Sequence, residues 1–142
     1  MSKSNTFEND LLALIFNGTA IANLADNAAT SPLTNLYVSL HTADPGEAGD
    51  QTTNECAYTS YARVAVARTS GGWTITGNSV SPAANIDFPA ATGGTETATH
   101  VAIGTASTGT GKILYSGAIS PNIAISTGVT PRIGTGSTIT ED

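Results

Sequence analysis

Apolar side chains recur at helical spacing in one short segment near the start of the chain. Four of them fall at positions i, i+4, i+7 and i+8 and so share one helix face: Phe7, Leu11, Leu14 and Ile15. Leu12 and Phe16 widen this face to nearly half of the helix circumference. A face this wide is covered either by the sheet of its own chain or by a neighbouring molecule. We expect the four residues that define it to form an interface.

The ends of this helix carry capping residues. Asn5 followed by Glu8 gives an N-cap with an acidic residue three positions later, a pair that satisfies the first free backbone N–H groups. Asn17-Gly18 supplies the left-handed backbone that stops a helix. We therefore predict a short helix over 5–16, followed by a small-residue connector over 21–35.

From residue 36 the pattern changes to the period of two that is typical of β-strands. Leu36, Val38 and Leu40 share one face of the first strand, whereas Tyr37, Ser39 and His41 take the other, so we predict that this strand is half-buried. Further strands are predicted at 62–68, 72–76, 85–88, 100–104, 112–117, 119–125 and 137–140.

Turn residues separate the predicted strands, as in Thr76-Gly77-Asn78 and Thr92-Gly93-Gly94. About eight short strands behind one leading helix favour a mainly β fold. We predict an antiparallel β-sandwich or jelly-roll-like domain with one short N-terminal helix. The corresponding division is a helix and connector arm over 1–35 and a β-sandwich domain over 36–142.

Composition and charge exclude several classes of partner. The 142 residues are 39% hydrophobic and 11% charged, which is not the composition of a disordered chain. The net charge is −6 and the five basic residues are scattered, so the chain has no basic stripe for nucleic acid. The longest apolar run, 11–16, is far shorter than the roughly 18 residues of a membrane span, and no signal-peptide pattern is present. We expect neither nucleic acid nor membrane as a partner.

Residues suited to catalysis or metal binding are sparse. One cysteine, Cys56, and two distant histidines have no zinc spacing, and Cys56 is interpreted as a small apolar side chain. His41 and His100 lie at strand ends and are interpreted as structural or solvated surface residues. No Gly-x-Ser-x-Gly nucleophile motif occurs, although paired glycosidase carboxylates stay open because their separation is spatial. We predict no enzyme activity, no catalytic residue, no cofactor and no metal.

The segment 106–113 superficially resembles a phosphate-binding loop. However, Ala106 replaces the first glycine, Ile113 stands where the motif needs a hydroxyl, and a strand follows instead of a helix. We predict a hairpin loop between two strands.

An acidic loop follows the first strand and carries carboxylates among glycines: Asp44, Glu47, Asp50 and Glu55. Several of these could hold calcium, although their spacing is not that of a helix–loop–helix site. A solvated acidic loop is the main interpretation, and calcium is the alternative.

Several strings of sequence resemble a family of small tailed-bacteriophage virion proteins. Members of this family are often labelled tail-fibre proteins, and others resemble head decoration, or cement, proteins. The resemblance covers most of 36–140 and is carried by 36–46 (LYVSLHTADPG), 61–66 (YARVAV), 72–74 (GWT), 84–94 (ANIDFPAATGG), 99–104 (THVAIG) and 111–117 (GKILYSG).

This resemblance implies a β-sandwich of jelly-roll type that binds the major capsid protein. It implies a capsid decoration protein on the outer capsid surface of the virion, made in the host cytoplasm. An acidic chain without a basic patch suits a position outside the shell. The chain itself is a further expected partner, as a homodimer or homotrimer, since both fit capsid symmetry sites.

Two alternatives to decoration stay open. One is a tail-fibre or receptor-binding virion module, whose loops, such as 44–54, would recognise a host glycan or protein. The other is a glycan-cleaving enzyme, which the absence of a readable catalytic constellation disfavours.

Overall fold

The computed structural model describes residues 4–21 and 33–141, which form one α-helix and nine β-strands. The predicted mainly β, antiparallel fold with one N-terminal helix is confirmed. Most of the predicted connector lies outside the described residues. The elements are α1 (Asn5–Asn17), β1 (Asn35–His41), β2 (Val64–Ala67), β3 (Trp73–Thr76), β4 (Ser79–Pro82), β5 (Ile86–Asp87), β6 (Glu96–Gly104), β7 (Ile113–Ile125), β8 (Arg132–Ile133) and β9 (Ile139–Thr140).

The strands form sheets of four, three and two strands. The order in the largest sheet is β2-β1-β6-β7, the second sheet is β3-β4-β9, and β5 pairs with β8. β6 pairs antiparallel with both β1 and β7, with Leu40 opposite Val101 and Ile103 opposite Tyr115. The register shifts twice: Thr99 faces residues 119–122, which form a bulge in β7, and Leu114 is the extra residue between the pairs Ile103–Tyr115 and Gly104–Ile113.

β1 is buried on both faces, which corrects the prediction of a half-buried strand. Leu40 points into the core as predicted, but Ser39 and His41 on the opposite face are also fully buried. The loop after β1 returns over this face, since His41 Nδ1 donates to the Thr53 carbonyl at 2.8 Å. An alternation of apolar and polar residues therefore does not require solvent on the polar side when buried partners satisfy it.

Two strands, β4 and β8, were not predicted from the sequence, and two predicted strands form a single strand in the structure. β4 ends at Pro82, a residue that argues against a strand, although Pro82 lies opposite Trp73 in the β3–β4 pair. β8 has only two residues, too few to show a period. The strands predicted at 112–117 and 119–125 form a single β7, because the bulge interrupts its period without ending its pairing.

Contacts divide the chain into two compact units that alternate along the sequence. The first contains the described residues of Met1–Asn35 together with Val66–Ile86 and the described residues of Ile133–Asp142, and the second contains Leu36–Ala65 and Asp87–Arg132. The arm over 1–35 and the domain over 36–142 stay a prediction about which parts fold independently. Buried core residues include Leu12, Phe16, Trp73 and Val80 in the first unit, and Leu36, Val38, Leu40, Phe88, Ala102 and Ile125 in the second.

α1 begins one residue earlier than its predicted cap implies. Ser4 is the N-cap, with extended backbone and a side chain that accepts from Phe7 N at 3.4 Å. The predicted cap, Asn5, is instead the first helical residue. The predicted stop is confirmed, because Gly18 adopts φ of 65° and ends the helix after Asn17.

Candidate binding surfaces

The four predicted interface residues of α1 flank the buried stripe of the helix. The buried positions are Glu8, Leu12 and Phe16, spaced four residues apart. Phe16 packs edge-to-face on Trp73 of β3, with ring centroids 4.7 Å apart, so α1 covers strands of its own unit. The predicted interface residues are only half-buried, and their role as an interface stays a prediction: Phe7, Leu11, Leu14 and Ile15.

The C-terminal end of α1 is fixed by a basic side chain. Arg68 Nε donates to the Ile15 carbonyl at 2.6 Å, and its Nη2 donates to the Leu14 carbonyl. Both carbonyls belong to the last turn, where intrahelical partners run out and a positive charge is favourable. Arg68 is thereby committed to the fold of the first unit.

A groove lies between the acidic loop and β7 in the second unit. Its volume is about 470 Å³, within the range of roughly 300–1,000 Å³ that is usual for ligand clefts. Two exposed carboxylates, on Asp44 and Glu47, stand on the loop side, and no described lining residue is basic. The lining residues are Asp44, Gly46, Glu47, Gly49, Ile113, Leu114, Tyr115 and Ser116.

The loop wall of this groove is held in one conformation by its own hydrogen bonds. Asp44 Oδ1 accepts from Gly46 N at 2.8 Å, and Asn54 Nδ2 donates to the Asp44 carbonyl at 3.0 Å. Gly46 has φ of 70°, and a Cβ on Gly49 would lie 2.1 Å from the Pro45 carbonyl oxygen. Glycine is therefore required at both positions.

Gln51 anchors the other end of the loop beneath the β6–β7 hairpin. Its side chain is fully buried, donates to the Tyr37 carbonyl at 3.2 Å and accepts from Ala106 N at 3.0 Å. Its backbone N–H donates to the Gly111 carbonyl at 2.9 Å. Gly104 and Gly111 leave the space it fills, since a Cβ on either would lie 2.0–2.2 Å from its side-chain atoms.

A buried ion pair joins the loop to β2. Arg63 Nε and Nη2 donate to the two Glu55 oxygens at 2.7 and 2.8 Å, and the Arg63 side chain is 3% exposed. Hydrogen bonding to Glu55 raises the pKa of Arg63. Nη1 donates to the Ala106 carbonyl, and Nη2 also donates to the Gly109 carbonyl. Tyr61 adds its hydroxyl to Glu55 at 3.0 Å.

The segment with superficial phosphate-loop character is the hairpin loop between β6 and β7, as predicted. It directs the carbonyls of Ala106 and Gly109 at the Arg63 guanidinium. A phosphate site needs backbone N–H groups converging on the anion, whereas these carbonyls converge on a cation.

His41 has a structural role, which is one of the two roles that sequence analysis gave it. It is fully buried, so its predicted position at the surface is wrong. His41 Nδ1–H donates to the Thr53 carbonyl, so its Nε2 accepts from Ser39 Oγ at 2.9 Å. Burial lowers the pKa of His41 below its ordinary 6.5. Both residues are fully buried, so this Ser–His pair does not face solvent.

Cys56 is an inert core residue, as its interpretation as a small apolar side chain predicts. It is 2% exposed, and burial raises the pKa of its thiol to about 12. Within 4–21 and 33–141, no group of three His, Cys, Asp or Glu side chains converges as metal ligands would. In the same part of the chain, no helix has the length and hydropathy needed to cross a membrane.

Comparison with known proteins gives the class of this protein as phage virion structural proteins. A family model described as podophage GP4 fiber I protein gp80 matches residues 2–141, and the chain belongs to that family. The phage virion family expected from the sequence is thus confirmed at this level. Among curated proteins, no match was found.

The groove and its Gln51 anchor were not anticipated from the sequence. The groove joins residues 44–49 to residues 113–116, and no periodicity links segments so far apart. One usable signal was present. Gly104 lies within the predicted strand 100–104, and a glycine inside a strand often marks a place where another group approaches the chain closely.

Proposed function

We propose that this protein is a non-enzymatic structural module of a phage particle, and that it attaches through the partly exposed face of α1. The observation that carries the proposal is that only some of the apolar side chains of this helix are buried within the chain. Leu12 and Phe16 pack within the first unit, whereas Leu11 and Leu14 remain half-exposed. Apolar side chains that the chain does not fully bury gain most from contact with a second protein.

The absence of catalysis in this proposal has structural support. The Ser39–His41 pair is buried beneath the loop that follows β1, and the Cys56 thiol is held protonated by burial. Neither group offers an accessible nucleophile with a base beside it, which hydrolysis would need. The protein therefore acts by binding.

The first candidate position is the outer surface of the major capsid protein lattice, where the chain acts as a decoration protein. Support comes from the resemblance of 36–46 and 84–94 to a phage virion family in which some members resemble decoration proteins. The net charge of −6 also suits a position away from packaged DNA. A protein that binds only the assembled lattice stabilises it by mass action.

The second candidate position is a fibre of the particle. The description of the family as a fiber protein supports it. Both positions require attachment to another virion protein, so the helix test below applies to each.

The test replaces Leu11 and Leu14 by glutamine in one variant and measures its binding to phage particles that lack the protein. We expect the number of bound copies to fall at least about tenfold, because two apolar contacts become polar groups facing an apolar surface. The matched control is Leu33→Gln, a substitution at an apolar residue that is 43% exposed. Circular dichroism establishes that each variant is folded. Full binding by the double variant would refute attachment through this face.

A further inference from the structure

The groove between the acidic loop and β7 combines hydrogen-bond acceptors with apolar contact surface. The carboxylates of Asp44 and Glu47 are exposed on the loop side, and Ile113 and Leu114 are half-buried on the β7 side. An ionised carboxylate only accepts hydrogen bonds. A ligand that fits this groove therefore donates hydrogen bonds along one side and presents apolar groups along the other.

The strand wall of the groove is irregular, which favours a compact ligand over an extended chain. Leu114 is the extra residue between two pairs of the β6–β7 ladder and forms a bulge inside the groove. A bulge disrupts the ladder locally and re-aims side chains, and bulges are over-represented beside active sites. An added strand would need a regular edge at this point, whereas a compact ligand does not.

The charges around the groove favour a neutral ligand. An anion would be repelled by Asp44 and Glu47 and by the net charge of −6. A strongly cationic ligand would meet Lys112, which is exposed and directly precedes the lining residue Ile113. A wholly apolar ligand would take two carboxylates out of water without giving them a partner, which is costly.

The two carboxylates are available to a ligand. Oδ1 of Asp44 accepts from Gly46 N, and no described residue donates to its Oδ2 or to the carboxylate of Glu47. The loop that carries them is preorganised, because Gly46 adopts φ of 70° and Gln51 ties the loop to the β6–β7 hairpin. A ligand does not have to order this wall first, and preorganisation of this kind increases affinity.

We propose that this groove binds a neutral saccharide, whose hydroxyl groups donate to Asp44 and Glu47 and whose C–H groups pack on Ile113 and Leu114. A sugar ring carries both features at once, because hydroxyls project from its rim and C–H bonds from its faces. Each hydroxyl also accepts hydrogen bonds, so the exposed ammonium group of Lys112 does not oppose this ligand. The proposal goes beyond attachment through α1 and does not depend on it.

The experiment is an NMR titration of the isotopically labelled full-length protein with neutral trisaccharides built from glucose, galactose, mannose or N-acetylglucosamine. We expect at least one of these sugars to cause saturable changes in the backbone amide shifts of 44–49 and 113–116. The expected Kd is on the order of 1 mM, because the hydrogen bonds are few and compete with water.

Substitution of Glu47 tests its role as an acceptor. Glu47→Ala removes the carboxylate, and we expect the Kd to rise at least about tenfold, because a ligand hydroxyl loses a charge-assisted partner. Glu47→Gln keeps an acceptor oxygen and should raise the Kd only about threefold. The matched control, Asp10→Ala, removes the same charge from α1 and should leave the Kd unchanged. The amide shift dispersion of each variant establishes that it is folded.

A charged form of the ligand tests the preference for a neutral one. The tightest-binding trisaccharide is oxidised at one C6 position to a carboxylic acid, and the titration is repeated. We expect the Kd to rise at least about threefold, because the new carboxylate faces those of Asp44 and Glu47.

Four results would overturn the proposal. They are the absence of shift changes at 44–49 and 113–116 with all the neutral sugars at tens of millimolar, an unchanged Kd in Glu47→Ala, and tighter binding of the oxidised sugar. The fourth is occupation of the groove by another ligand, seen as shift changes at the same residues with calcium, with a lysine-rich peptide or with rising protein concentration in place of the sugars. The assay uses isolated protein, so its failure would leave attachment through α1 standing.

Discussion

Gln51 is the residue on which the shape of the groove most depends. It is fully buried, belongs to the acidic loop, and makes hydrogen bonds to β1 and to the β6–β7 hairpin loop. A buried amide that loses one partner leaves an unpaired group behind. Substitutions around Gln51 are therefore expected to destabilise the protein. The same holds for substitutions of Gly104 and Gly111, the two glycines that face its side chain.

The substitution Gly104→Ala tests this packing. The three heavy atoms nearest to the added Cβ all belong to the Gln51 side chain, at 2.2–2.7 Å. We expect the free energy of unfolding to fall by about 2 kcal/mol, because the side chain must leave its hydrogen bonds to relieve the overlap. Urea unfolding measured by circular dichroism gives this value.

A double-mutant cycle isolates the cause. In a Gln51→Ala background the same glycine substitution should cost much less, since the atoms it would overlap are gone. An equal cost in both backgrounds would assign the effect to the Gly104 backbone instead.

His41 makes stability depend on pH. Burial lowers its pKa below 6.5 in the folded protein, with Arg63 and His100 also acting to lower it and Glu55 and the Thr53 carbonyl acting to raise it. Below pH 6.5, His41 is therefore protonated to a greater extent in the unfolded chain than in the folded chain. The contribution of His41 to the free energy of unfolding is complete above pH 6.5. It is lost as the pH falls from 6.5 towards the pKa of His41 in the folded protein, by at most about 1.4 kcal/mol per pH unit.

Two measurements check this expectation. An NMR titration of the wild-type protein should place the midpoint of the His41 imidazole below 6.5. Urea unfolding between pH 5 and 7.5 should show a weaker pH dependence in His41→Gln than in wild type. A midpoint at or above 6.5 would contradict the burial argument.

At the scale of elements, Arg63 ties together the acidic loop, β2 and the β6–β7 hairpin loop. Its Nε and Nη2 donate to Glu55, Nη2 also donates to the Gly109 carbonyl, and Nη1 donates to the Ala106 carbonyl. Each of the connected segments carries few buried apolar side chains of its own. The polar cluster therefore holds loops that the hydrophobic core does not reach.

The substitution Glu55→Gln should lower the free energy of unfolding by about 3 kcal/mol. The reason is that the buried Arg63 charge keeps its position and loses its counter-charge. The matched control is Asp87→Asn, which breaks the pair with Arg132, where both side chains are about half exposed at 46% and 57%. Solvent screens that pair, and we expect no measurable change. Equal effects in urea unfolding would contradict the distinction between the two pairs.

At the scale of the whole molecule, the position on the particle determines how many copies a virion carries. A decoration protein occupies sites repeated over the shell, whereas a fibre is present at few sites. For the first candidate position we expect a stained gel of purified particles to show this 14.3 kDa chain near equimolar with the major capsid protein. A faint band from a handful of copies would favour the fibre.

How far prediction reached can be argued from particular elements. The residues that cap α1 lie directly beside its two ends in the sequence. Its extent was therefore predicted to within one residue at each end. β1 was located correctly, but the burial of Ser39 and His41 was missed because it depends on a loop that closes over them. β4 was missed because Pro82 argues against a strand unless its partner is known.

Sequence by itself determined the helix, most of the strands, the glycine turns and the class of protein. The helix, strands and turns follow from periodicity and short motifs, which act over a few residues, whereas the class of protein follows from the resemblance to a known family. Tertiary structure alone decided which polar side chains are buried, how Gln51 and Arg63 fix the loops, and that an acidic wall lies across the groove from residues 113–116 of β7. The contacts of Gln51 and Arg63 with the hairpin loop, and of the acidic wall with β7, join segments about 40 to 70 residues apart. The loop residue that covers His41 is 12 positions away, and none of these contacts leaves a period in the chain.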